Sequence, residues 1–112
     1  MKLRAPDEWW ELTPGQQIEI TNGCGPKAIE RLIPDSIFRL SIVDAWRIHD
    51  FMYSGRVQCT KWDADFTFLS NMIDIIEGAN SIGWIRTTRM HMAMIYFKNV
   101  RRFGKGPKNL YK

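Results

Sequence analysis

Apolar residues recur at three- and four-residue spacing over two stretches of this chain: Phe38, Ile42, Ala45, His49, Met52 and Tyr53, then Asp65, Phe68, Met72, Ile75 and Ile76. Such spacing puts each set on one face of a helix. The first helix is expected to begin near Pro34-Asp35-Ser36, where proline and capping side chains suit a first turn, and to end near Ser54-Gly55. Thr60-Lys61-Trp62-Asp63 is a capping-box pattern, so the second should start there, run through Glu77 and stop at Gly78. A connection this short makes the two helices antiparallel neighbours. A third helix is predicted from Ser81 to Phe103, apolar on nearly all sides, with the stems of Arg86, Arg89, Lys98, Arg101 and Arg102 snorkelling outward.

The remaining segments carry weaker patterns. Residues 1–20 predict a short helix around Asp7 to Leu12, then irregular chain. Thr21-Asn22-Gly23-Cys24-Gly25-Pro26 reads as a glycine-rich loop, able to take positive φ and to turn backbone carbonyls or amides towards one point, or as a plain turn. Residues 104–112 form a basic tail. The fold class is therefore all-α: two long antiparallel helices bearing a His/Asp site, a glycine loop before them and a third helix after them.

With 112 residues the chain has length for one domain and one core. Its 45% hydrophobic and 25% charged composition is that of a folded protein rather than a disordered one. The longest apolar run, Met92 to Phe97, is far below the roughly 20 residues that span a bilayer. No apolar run follows the charged N-terminus, so no secretory signal is read, and a cytoplasmic or virion-associated location is expected over classical secretion. Cys24 and Cys59 allow at most one disulfide and have no metal-ligand spacing, so free thiols are expected and zinc is not.

Charge is uneven. Eight of the 16 basic residues follow Glu77 and no acid does, giving that segment +8, while residues 1–77 hold twelve acids against eight bases. A basic third attracts polyanions, either nucleic acid or an anionic lipid surface, or is simply solvated. Five tryptophans, with Trp9-Trp10 near the N-terminus, suit a lipid interface, although core packing explains tryptophan equally well.

The candidate chemistry lies on the two stripes. His49 and Asp65 each interrupt an apolar face, and an antiparallel pair brings them to one end of the hairpin. Burying both is costly unless each satisfies the other, which suggests an imidazole oriented by an acid. The plainer alternatives are a satisfied core histidine, an acid complementing the helix dipole at Asp65, a surface acid at Asp50 and ordinary packing at Tyr53. His91 reads as structural, and Asp44 as a helix-surface residue.

Gly23-Cys24-Gly25, then Asp44-Ala45 with His49-Asp50-x-x-Tyr53, then Ala64-Asp65-x-x-Phe68, resembles the calcium-dependent phospholipase A₂ superfamily. The spacing is most similar to that of the cysteine-poor parvovirus-capsid and bacterial or phage phospholipase-like domains. The resemblance covers roughly residues 21–76. It implies hydrolysis of the sn-2 ester of glycerophospholipids at a membrane interface, with His49 as general base, Asp65 supporting it and Tyr53 hydrogen-bonded to Asp65. It implies Ca²⁺ held by the Asp50 carboxylate and carbonyls of Thr21, Gly23 and Gly25. The sequence departs from the family loop after Gly25, where Pro26 has no N–H and Lys27 adds positive charge. On this reading the basic third and exposed Trp9 or Trp10 dock on anionic phospholipid. The alternative is a non-enzymatic phage or viral structural module, or a nucleic-acid-binding one, that uses the basic segment.

Overall fold

The computed structural model of the chain describes residues 3–21 and 35–104. They are mostly helical: α1 (Asp7–Trp10), α2 (Pro14–Thr21), a two-stranded hairpin of β1 (Ser36–Ile37) and β2 (Leu40–Ser41), then α3 (Val43–Tyr53), α4 (Lys61–Gly78) and α5 (Gly83–Phe103).

The capping box before α4 forms as the sequence predicts. Thr60 Oγ1 accepts from the Asp63 N–H at 3.0 Å, and the Asp63 carboxylate accepts from the Thr60 N–H at 3.2 Å. Both bonds satisfy donors that a helix start otherwise leaves orphaned. α3 ends where expected, with Ser54 as its cap and Gly55 at a φ of 87°, a left-handed conformation glycine takes without steric cost. α5 starts two residues later than predicted and ends at Phe103 as predicted.

Two expectations are corrected. The first long helix does not begin at Asp35–Ser36: β1 and β2 pair antiparallel there, Ser36 with Ser41 and Ile37 with Leu40. Phe38 and Arg39 turn the hairpin at φ values of 45° and 69°, which breaks any helix through them and leaves Phe38 exposed instead of on the buried stripe. The helix starts only at Val43, whose N–H the Ser41 hydroxyl accepts at 3.3 Å. The stretch after Leu12 is not irregular throughout, because Pro14–Thr21 is helical, with the Thr13 hydroxyl accepting from the Gln16 N–H.

Contacts fix the helix directions. Trp46 meets Phe68 at a ring separation of 4.9 Å, while Tyr53, one end of α3, meets Asp65 in the first turns of α4. Residue numbers fall along α3 as they rise along α4, so the pair is antiparallel. α5 returns along α4 in the same way: Arg86 pairs with Glu77 at one end, and Lys61 bonds the Val100 and Arg101 carbonyls at the other. Ile42, Ala45, Trp46, Phe68, Met72, Ile76, Ala93, Tyr96 and Val100 form the main core between these helices. A second cluster joins Trp9, Ile48, Phe51, Met52, Tyr53, Val57 and Ala64.

Trp9 therefore belongs to the interior, 4% exposed, with its ring 5.2 Å from that of Phe51, and cannot serve as a surface anchor; only Trp10 of that pair reaches solvent. The N-terminal segment is tied down by a residue the periodicity passes over. Asn71 is fully buried in α4 and brackets Arg4, accepting from its N–H at 2.7 Å and donating to its carbonyl at 2.8 Å. Removing both bonds in Asn71→Ala leaves two peptide groups to find water again and should cost about 1–3 kcal/mol in a urea melt. An unchanged midpoint would mean the N-terminal segment does not dock.

Candidate active site

His49 and Asp65 meet in the interior between the two core clusters, 1% and 0% exposed. His49 lies in the penultimate turn of α3 and Asp65 one turn into α4. The antiparallel packing brings His49 Nε2 to 2.8 Å from Asp65 Oδ1. Tyr53, one turn beyond His49, donates its hydroxyl proton to the same oxygen at 2.5 Å. The sequence-expected trio of His49, Asp65 and Tyr53 is thus one hydrogen-bonded group. The rings of Trp46, Tyr53 and Phe68 stand around the imidazole at 5.3, 4.2 and 5.0 Å between centroids.

Two further members were not visible in the pattern. Lys61 Nζ donates to Asp65 Oδ2 at 2.8 Å, and Arg101 donates to the same oxygen at 3.1 Å. Asp65 accepts four donors, two on each oxygen. Lys61 is four residues before Asp65 on α4, a spacing that pairs charges along a helix and could have marked it. Nothing local in the sequence marks Arg101, which reaches Asp65 only because α5 folds back. Gly104 also has a role here. A Cβ at that position would lie 2.7 Å from the Tyr53 hydroxyl and 2.5 Å from the Val100 carbonyl oxygen, so only glycine lets the end of α5 close over the tyrosine.

The electrostatics decide the proton positions. Burial pushes the Asp65 carboxyl up, but its bonds from His49, Lys61 and Tyr53 outweigh that, and its pKa lies below the ordinary value. Asp65 is an anion. For His49 burial is the largest influence and lowers the pKa, with Lys61 adding to it, against the opposing pull of Asp65. His49 is neutral. An ionised carboxylate only accepts, so the single imidazole proton sits on Nε2 and the lone pair is on Nδ1. Nδ1 is buried and has no hydrogen-bond partner among the described residues. Burial raises the Tyr53 phenol strongly, with the bond to Asp65 acting the same way, so it stays a donor.

Because both folded-state pKa values are depressed, the unfolded chain takes up more protons as pH falls. Stability should be level from the ordinary histidine value of 6.5 up to the ordinary thiol value of 9.0, decline below 6.5, and decline further through the ordinary carboxylate value of 3.8. Melting curves at constant ionic strength check this. Stability that rises as pH drops through the histidine range would mean that His49 is held as an imidazolium.

Asp50, next to His49 on α3, is half-buried. Thr21 is the last residue of α2, which packs against α3. The glycine loop, with Gly23, Cys24, Gly25, Pro26 and Lys27, lies outside the described residues. No cluster of three or more His, Cys, Asp or Glu side chains occurs among the described residues. One carboxylate with main-chain carbonyls is a different, oxygen-only donor set, of the kind a hard cation takes.

Cys59 is a free thiol; it donates to the Met52 carbonyl at 3.3 Å, and burial raises its pKa to about 11, so it is a poor nucleophile. Asp44 is exposed in the first turn of α3, and His91 is exposed on α5. No helix among the described residues is long and apolar enough to cross a membrane. No protein-family model, curated protein or solved structure matches this chain.

Proposed function

We propose that this chain is a hydrolase of the phospholipase A₂ type, akin to the cysteine-poor viral and bacterial domains, cleaving the sn-2 ester of glycerophospholipids at an anionic membrane surface. The observation that carries the reading is the lone pair of His49 Nδ1, which has no partner among the described residues, on a ring fixed by an Nε2–H bond to a carboxylate that Tyr53 also holds. That is the arrangement a general base needs: neutral, oriented and desolvated.

His49 takes a proton from water at Nδ1 as the water oxygen attacks the ester carbonyl. The proton then passes to the departing glycerol oxygen, releasing a fatty acid and a lysophospholipid. Asp65 keeps the Nε2 tautomer and stabilises the imidazolium that forms in between. Lys61 and Arg101 hold the second carboxylate oxygen, so Asp65 cannot rotate away from His49. Asp50 and the carbonyls of Thr21, Gly23 and Gly25 would hold Ca²⁺, which when bound polarises the ester and stabilises developing negative charge.

One observation favours the second reading, a non-enzymatic module: Asp65 is saturated by four donors, including two cations, as a purely structural ion cluster would be. Fatty-acid release from phosphatidylglycerol vesicles separates the two. With acyl chains labelled by position, release should come from sn-2, need millimolar calcium and stop with a chelator. No release in calcium, or release indifferent to chelation, sinks the calcium-dependent enzyme.

A further inference from the structure

At the end of the helix pair that carries His49 and Asp65, two large aromatic side chains stand in solvent. Trp62 is 53% and Phe66 47% exposed, one turn apart on α4, their rings stacked at 5.5 Å and 21°. Phe97 of α5 meets the Trp62 ring edge-on at 6.1 Å, and the Arg101 guanidinium lies over it at 5.0 Å. The next two residues are Arg102 and Phe103, the latter 48% exposed with the Arg102 guanidinium over its ring. On the opposite flank Arg4 and the two rings line a shared open groove.

We infer that the Trp62–Phe66 ridge and its flanking cations form a docking surface for an anionic phospholipid bilayer. Exposed aromatic pairs on a water-facing helix are costly unless something covers them. The sign of the neighbours says what covers this one. Arg4 lines the groove on one side, 3.9 Å from Asp74, and Arg101 lies over Trp62 on the other; Lys98 and Arg102 neighbour Arg101 in the α5 sequence, and no acid follows Glu77. Of the carboxylates beside the ridge, Asp63 accepts from the Thr60 N–H in the capping box and Asp65 is buried and held by its four donors. Aromatic rings with arginines at their rim match the headgroup layer, where rings enter the acyl boundary and guanidiniums meet phosphates.

Two other occupants fit less well. A single-stranded nucleic acid uses open aromatic faces to stack bases. The Trp62 ring already has Phe66 and the Arg101 guanidinium against it, so it offers chiefly an edge. A second copy of this chain would set one cationic rim against another. Arg101 also donates to Asp65, so the ridge adjoins the proposed site and docking would set that site against the lipid. In this the inference rests on the phospholipase reading, whose substrate lies in that layer.

The test is binding, not turnover. The full chain is sedimented in chelator with phosphatidylcholine vesicles, with and without phosphatidylglycerol, and compared with Trp62→Ala/Phe66→Ala and with Lys98→Gln/Arg102→Gln. Both variants are first checked for unchanged helicity. The native chain should bind only the anionic vesicles, and each variant should lose about tenfold or more in affinity. Equal binding by the ridge variant, no binding to either vesicle, or preferred binding of a single-stranded oligonucleotide overturns the inference. Ridge-dependent docking without fatty-acid release in calcium supports the surface and removes the phospholipase reading alone.

Discussion

Asp65→Ala is expected to destabilise the chain by roughly 3–5 kcal/mol, the range for removing one partner of a buried ion pair. The carboxylate is 0% exposed and accepts from His49, Tyr53, Lys61 and Arg101. Lys61 and Arg101, 20% and 36% exposed, can turn partly to water after the change. The His49 Nε2–H and the Tyr53 hydroxyl cannot, and these two buried donors dominate the loss. α5 should loosen with it, because Arg101 then loses its ion pair to α4 and keeps only its place over the Trp62 ring, while Lys61 still bridges to the Val100 and Arg101 carbonyls. A protein of this size has about 5–15 kcal/mol in hand, so the variant should fold marginally at low temperature and melt early. A urea melt showing a loss below about 1 kcal/mol would mean that the four-donor cluster is not formed in solution.

His49→Gln separates chemistry from stability. The glutamine amide can still donate to Asp65, so the helix pair keeps one bond at that position, but it supplies no basic lone pair. Hydrolysis should fall by about 10²–10⁴, the usual contribution of a positioned general base. The loss should appear in kcat with little change in vesicle binding, since the exposed aromatic ridge is untouched. A variant that retains more than about a tenth of native turnover while folded would exclude His49 as the base.

Much of this arrangement was legible in the residue pattern, and the misses have physical causes. The start of α4 was readable because Thr60 and Asp63 cap it locally, and its end falls at Gly78 as expected, although Ala79 is the cap and Asn80, at a φ of 57°, takes the left-handed conformation that closes it. The stripe Phe68, Met72 and Ile76 is buried as its spacing predicts. The beginning of α3 was misread because Phe38 falls in register with Ile42 and Ala45, and periodicity does not register two consecutive residues taking positive φ. Trp9 and Trp10 are identical in composition and opposite in burial, a difference set by the docking of Trp9 on Phe51. His49, Asp65 and Tyr53 come from adjacent segments, so their meeting follows from a short connection. Arg101 meets Asp65 from 36 positions away, and Asn71 brackets Arg4 from 67. Contacts of that separation depend on the tertiary return of the chain and leave no local signature.

The position of the His49 proton decides both how Asp65 is held and whether His49 can act as a base. Nitrogen NMR of the folded chain with labelled histidine, at neutral pH and without substrate, reads that directly, and the exposed His91 provides an internal reference. A neutral His49 ring is expected, with its proton on Nε2, an unprotonated Nδ1, and an Nε2 proton shifted downfield by its bond to Asp65. An imidazolium, or a neutral ring protonated at Nδ1, would contradict this, since neither leaves a lone pair where the proposed base must act.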